Sequence, residues 1–180
     1  PNPQTAPRPL GTLENVFQYE SSGKIKGQVV YFGVNQNANK YFSVNAGYLF
    51  FDFKTNADYA LYSPQSSYDL KAEWATPFWQ NRHRIFIFST VNFWWKMRLS
   101  ASFNTNTGRP FNVTTGRDNN GDGIFNDRPN LSNSNDLQAV PTKFGFLNPN
   151  AVNGNSPRNV GTNPVNVTLS FNLSRTFLLG

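Results

Sequence analysis

The sequence contains no cysteine and a single histidine, His83. Without cysteine there are no disulfides, no thiolate metal ligands and no thiol nucleophile. One histidine excludes multi-histidine metal centres and leaves little acid–base chemistry near neutrality. Charged residues are scarce at 14% of 180 residues, against roughly 25% in an ordinary soluble domain. The net charge of +6 comes from sixteen Lys and Arg scattered from Arg8 to Arg175, with no run beyond the local Arg82/Arg84 pair. A nucleic-acid surface needs a clustered basic stripe, so no nucleic-acid partner is expected. No apolar run approaches the roughly 20 residues of a membrane-spanning helix, and no signal peptide is visible at Pro1. Phosphate loop, nucleophile elbow and zinc signature are all missing; no enzymatic activity is expected.

What is abundant points elsewhere. Aromatics reach 16%, and there are 26 asparagines and 12 prolines. That mixture suits strands, turns and long loops rather than helices. Val165, Val167, Leu169, Phe171 and Leu173 alternate with Asn166, Thr168, Ser170, Asn172 and Ser174, a period of two with one apolar and one small polar face. Met97, Leu99, Ala101 and Phe103 repeat it, as do Phe42, Val44, Ala46, Tyr48 and Phe50. At Leu49, Phe51 and Phe53 the apolar phase shifts, which predicts a bulge or a strand end buried on both faces. Lys24–Val34 and Arg82–Phe93 read as further strands, with shorter ones over Leu13–Glu20 and Ser67–Thr76. Pro1, Pro3, Pro7 and Pro9 mark a Pro-rich arm over residues 1–11, ahead of a β-sheet region over 12–180.

The connections alternate in length. Asn35–Lys40 and Phe93–Lys96 are short, whereas 55–81 and 107–163 are long. Transmembrane β-barrels have this asymmetry, with short periplasmic turns, long outer loops and strands of about 9–11 residues. Tyr41, Phe42, Trp94 and Trp95 sit by the short turns, where an interfacial aromatic girdle belongs. A soluble β-sandwich with aromatics in its core is the other reading. The small polar faces, poor in Lys and Glu, favour the barrel.

One loop carries possible metal chemistry. Asp118, Asn120 and Asp122 fall at alternate positions and Gly123 follows, as in positions one, three, five and six of a calcium loop. The Ile124 carbonyl and the side chains of Asn126 or Asp127 add further oxygens. Pro129 stands where an EF-hand has its bidentate Glu, so a helix–loop–helix is excluded. Two readings stand: a structural Ca²⁺ site that pins a long loop, and a metal-free turn held by its own side-chain-to-backbone bonds. Arg82-His83-Arg84 reads as structural, and Asp69 and Glu73 share a strand face without an acid–base partner.

The stretch Thr107-Gly108-Arg109-Pro110-Phe111-Asn112-Val113-Thr114-Thr115-Gly116-Arg117-Asp118, continued through Gly121-Asp122-Gly123-Ile124-Phe125-Asn126-Asp127-Arg128-Pro129-Asn130, resembles a signature of TonB-dependent outer-membrane receptors. The similarity is to the subgroup with a carboxypeptidase-regulatory-like N-terminal domain. Three further stretches match the same barrel in order: Gln18–Gly23, Tyr68–Trp74 with Arg82–Arg84, and Pro157–Asn159 followed by Leu173–Phe177. The resemblance implies an all-β antiparallel meander from the later part of a far longer receptor barrel. It further implies uptake of a bulky nutrient (a metal chelate, glycan or peptide) at the outer membrane of a Gram-negative-type bacterium, with TonB contacted only through segments outside this stretch. The five strands long enough to cross a membrane fall short of the about eight that close the smallest such barrel. A second expectation follows: a barrel-derived structural module that joins copies of itself by strand addition into an extracellular oligomer or filament.

Overall fold

The computed structural model describes residues 16–177. It is all-β, with strands β1 (Ile25–Asn39), β2 (Phe42–Thr55), β3 (His83–Asn92), β4 (Met97–Asn106), β5 (Pro110–Phe111), β6 (Asn130–Ser132), β7 (Val140–Thr142), β8 (Gly145–Asn148), β9 (Gly161–Thr162) and β10 (Asn166–Arg175). Five of them form one sheet in the order β1-β2-β3-β4-β10; the short ones pair as β5-β9 and β6-β8-β7. All the registered pairs are antiparallel. The expected meander is therefore present as an open sheet, and no barrel is closed among the described residues. The chain divides into two compact units. Of the described residues, one unit holds Gly27–Asp52, Gln80–Arg109 and 163–177; the other holds 16–26, Phe53–Trp79 and Pro110–Thr162.

In the sheet unit, alternation along each strand is carried across strands by register. Residues directly opposite one another share a face. On one face the rows read Phe42–Val91–Leu99–Leu173, Val44–Ser89–Ala101–Phe171, Ala46–Ile87–Phe103–Leu169 and Tyr48–Ile85–Thr105–Val167. The other face reads Ser43–Thr90–Ser100–Asn172, Asn45–Phe88–Ser102–Ser170, Gly47–Phe86–Asn104–Thr168 and Leu49–Arg84–Asn106–Asn166. Arg98, opposite Asn92 and Ser174, belongs to that polar face too. On edge strand β10 the apolar residues Val167, Leu169, Phe171 and Leu173 are 58–66% exposed, Phe42, Ile85 and Ile87 are exposed to a lesser degree, and the rest of that face is half-buried. Ten residues at about 3.3 Å each, tilted about 45°, span roughly the 25 Å apolar band of a barrel wall.

Gly47 is fixed by packing on the polar face, since a Cβ there would meet the rings of Phe86 and Tyr31. Opposite β3 the phase shift brings no bulge as far as Phe50. Pairing with β3 runs unbroken from Phe42 to Phe50, and the strand is half-buried on both faces through Phe53.

Both short turns are tighter than the sequence suggested or differently built. β1 continues to Asn39, so the first turn shrinks from 35–40 to Lys40-Tyr41. The Asn39 side-chain oxygen accepts the N–H groups of Tyr41 (2.8 Å) and Phe42 (3.1 Å), a bond pattern that suits Asn to turns. At the second turn Trp94–Lys96 form a single 3₁₀ turn in which Trp95 and Lys96 have φ of 62° and 55°. A bulky residue there is a backbone outlier, held by the Phe93 N–H donating to the Met97 carbonyl. Two predicted short strands are corrected. Ser67–Thr76 is a series of turns, with only Ala75 bridged to Thr55. Of Leu13–Glu20, residues 16–20 form no strand, and 13–15 lie outside the described residues, as does the Pro-rich arm 1–11.

Candidate functional site

The loop unit is organised by charge rather than by apolar burial. Among the described residues the buried hydrophobic side chains are Ala75 and Leu147, while Glu73, Asp127, Arg128, Ser156 and Arg158 are all at most 2% exposed. Arg128 donates through Nη1 to both oxygens of Glu73 (2.9 and 3.1 Å) and through Nε to the Ser156 carbonyl (3.0 Å). Arg158 sets Nη1 2.8 Å from Asp58 Oδ2 and Nε 3.8 Å from Glu73 Oε2, and its Nη2 donates to the Thr55 carbonyl. Two arginines thus face two carboxylates, and the cluster is neutral. Tyr62 donates its hydroxyl to Glu73 Oε2 at 2.6 Å beneath the Arg158 guanidinium, 5.0 Å from its ring centre. Burial, and then the hydrogen bond and charge of Glu73, push the Tyr62 hydroxyl above the ordinary phenol range.

Gln65 links this cluster to the Asp118–Asp127 loop. Its N–H donates to Glu73 Oε1 (3.1 Å), its Nε2 to the Gly154 carbonyl (3.0 Å), its Oε1 accepts from the Arg128 N–H (3.0 Å), and its carbonyl accepts from Asn120 Nδ2 (2.8 Å). The fit at Gly154 is close, since a Cβ there would strike the Arg128 and Pro129 backbone.

The six residues expected to ligate a metal are brought into one loop, most of them bonded to one another. Asp118 accepts the N–H groups of Gly121, Asp122 and Gly123 at 2.7–3.0 Å. Asn120 Oδ1 accepts the Asp122 N–H, and Asp122 Oδ1 accepts the Ile124 N–H. Asn126 donates through Nδ2 to the carbonyls of Ser63 (2.9 Å) and Pro64 (3.2 Å). Asp127 Oδ2 accepts the N–H groups of Asn119 (2.7 Å) and Asn120 (3.3 Å). Asn126 Oδ1 and Asp127 Oδ1 are buried with no hydrogen-bond donor. Burial raises the Asp127 carboxyl above the usual carboxylate range. Its backbone donors oppose that rise, and the charges of Asp122 and Asp118 add to it. Among the described residues no three acidic or histidine side chains are grouped closely enough to hold an ion by themselves. Amide and carbonyl oxygens would have to complete any shell.

The four aromatics expected at a membrane interface lie at the two short turns of the sheet. Asn92 donates through its backbone N–H to the Tyr41 carbonyl (2.7 Å) and through Nδ2 to the Lys40 carbonyl (2.8 Å). This fastens the first turn to the end of β3, next to Phe93, Trp94 and Trp95. Tyr41 is 53% exposed and each of the two tryptophans 70%. His83 is structural: its Nδ1 lies 2.7 Å from the Tyr48 hydroxyl, and its ring packs against Phe50. Asp69 and Glu73 do not share a face; exposed Asp69 accepts the Lys71 N–H (3.0 Å), while Glu73 is buried.

No protein-family model, curated protein or solved structure matches this chain. The charge cluster escaped sequence reasoning because its members are scattered between Asp58 and Arg158. A signal was present, however. Glu73, Arg128 and Arg158 each lie in one of the stretches that carry the receptor resemblance.

Proposed function

We infer that this chain is a section of the wall and outer loops of an outer-membrane β-barrel. We read it as part of a TonB-dependent receptor that takes up a bulky nutrient such as a metal chelate, glycan or peptide. What carries the reading is the set of four cross-strand rows without a single charged residue, facing away from a polar face that holds Arg84 and Arg98. A lipid-facing wall needs such an uncharged band, apolar here apart from Ser89 and Thr105, and a lumen tolerates the arginines. The aromatic residues at the hairpin end, Tyr41, Phe42, Trp94 and Trp95, supply an interfacial belt on the side that would face the periplasm. The function is transport rather than catalysis, and contact with TonB belongs to other segments of such a receptor.

One observation favours a second reading. Every residue of β10 is exposed, and β10 and β1 are the two sheet edges. Lipid does not tolerate open edges, so strands must add to them. In a receptor the neighbouring barrel strands do so. In a self-assembling cell-surface module, copies of this chain would. Light scattering and electron microscopy in detergent-free buffer separate the two. The receptor reading predicts amorphous aggregation that detergent or lipid rescues. Regular soluble oligomers or filaments would overturn it in favour of the module.

A further inference from the structure

We propose that the Asp118–Asp127 loop is a Ca²⁺ site anchored by Asp127 Oδ1 and Asn126 Oδ1, its shell completed by the Ile124 carbonyl and by oxygens of Asp118, Asn120 and Asp122 that binding would draw from their present loop hydrogen bonds. The inference is independent of the barrel reading. It starts from two acceptors that have nothing to accept. Asp127 is fully buried and spends Oδ2 on two loop N–H groups, yet Oδ1 has no donor. Asn126 has its Oδ1 buried without a donor as well. Its amide orientation is fixed by chemistry, because the atom facing the Ser63 and Pro64 carbonyls must be the NH₂ group. Oδ1 is therefore a true acceptor. A buried acceptor left unsatisfied costs about 1–3 kcal/mol, and more when charged.

Among the described residues, the two arginines that flank the loop in sequence are engaged elsewhere. Arg128, next in sequence, is committed to Glu73 and the Ser156 carbonyl, and Arg117 is exposed and bonds Asn150 Oδ1. Asp118, Asp122 and Asp127 place three carboxylates within ten residues. Buried oxygen acceptors on a loop rich in carboxylates suit a hard cation. Mixed carboxylate, amide and carbonyl oxygens on an irregular loop fit the adaptable coordination of Ca²⁺ better than the strict octahedron of Mg²⁺. Asn126 and Asn120 also hold the Ser63–Gln65 segment, so an ion there would tie the loop to the strut that supports Glu73 and Arg128.

Isothermal titration of the whole 180-residue chain in detergent with CaCl₂ tests this, with MgCl₂ as the comparison. One Ca²⁺ per chain is expected, with Mg²⁺ at least about tenfold weaker. Asp127→Asn and Asp122→Asn should each weaken Ca²⁺ binding by at least about tenfold, while Asp136→Asn, outside the loop, should bind as the parent does. Should Asp127→Asn fail to fold, the partly exposed Asp122 decides. No binding by the parent chain at millimolar calcium overturns the proposal, and so does unchanged affinity in Asp122→Asn. The buried acceptors would then be satisfied by water or by a proton on Asp127.

Discussion

Replacing Glu73 by Gln keeps its shape and removes its charge, leaving Arg128 buried without its counter-ion. The structure sets the magnitude. Arg128 and Glu73 are at most 1% exposed, so solvent does not screen the loss. Breaking one side of such a pair costs about 3–5 kcal/mol. Asp58 still neutralises Arg158, at 2.8 Å, which argues against a larger effect. At 1.4 kcal/mol per decade, the loop unit should open about a hundred to a few thousand times more often. Native-state amide exchange in detergent reads this at the N–H groups of Gln65, Arg128 and Ser156, which bond Glu73 Oε1, Gln65 Oε1 and the Pro129 carbonyl. Exchange in β3 and β4 should change far less. A second variant separates charge from packing. Glu73→Met with Arg128→Met removes both charges, and should recover at least half of the stability that Glu73→Met alone loses. A loss of protection under about tenfold in Glu73→Gln, or a double variant worse than the single, would refute the view that this charge cluster organises the loop unit.

Other outcomes follow from the same geometry. Gly154→Ala drives a methyl group into the Arg128–Pro129 backbone, and should lower the thermal midpoint of the loop unit with a cost of at least about 1–3 kcal/mol. Gly47→Val should displace Phe86 and Tyr31 and loosen β2 against β3, visible as faster exchange at the paired amides. The Tyr62 hydroxyl is held above its ordinary range, so the folded state keeps a proton that the unfolded chain releases near pH 10. Its contribution is therefore fully present below that pH and is lost as pH rises beyond it. Tyr62→Phe should flatten that alkaline loss; an alkaline unfolding profile identical to the parent's would count against the Tyr62–Glu73 bond as its source. In lipid vesicles Leu169→Arg should cost about 2–4 kcal/mol in a urea titration, and Ser170→Arg close to nothing, because only the first faces the apolar side.

The parts of the fold legible in sequence are those fixed by a local period. β4 and β10 alternate strictly and β2 does so from Phe42 to Tyr48, and their register follows because a slip of one residue would turn Phe171 and Leu169 onto the polar face. The same rule misled at Ser67–Thr76. Tyr68, Leu70, Ala72 and Trp74 alternate with polar residues, yet Asp69 caps the Lys71 N–H and Glu73 is drawn into a pair with Arg128, so turns replace a strand. Of the candidate loop, its local bonds were legible from the spacing of Asp118, Asn120 and Asp122. Its supports were not. Gln65 and Arg128 are 63 residues apart and meet only because long connections fold onto themselves. Nothing periodic marks such a contact, and a lone arginine beside a proline, as in Arg128-Pro129 or Pro157-Arg158, gives no partner.

The absence of native cysteine makes the central claim directly measurable. Single cysteines at Leu169, Ser170, Phe171 and Asn172 in turn, labelled with an environment-sensitive fluorophore and placed in vesicles, sample both faces of β10 in four consecutive steps. A lipid-facing wall predicts alternation: apolar emission quenched by nitroxide lipids at 169 and 171, aqueous emission quenched by a soluble agent at 170 and 172. Uniform access to the soluble agent at all four positions would contradict a membrane-embedded sheet.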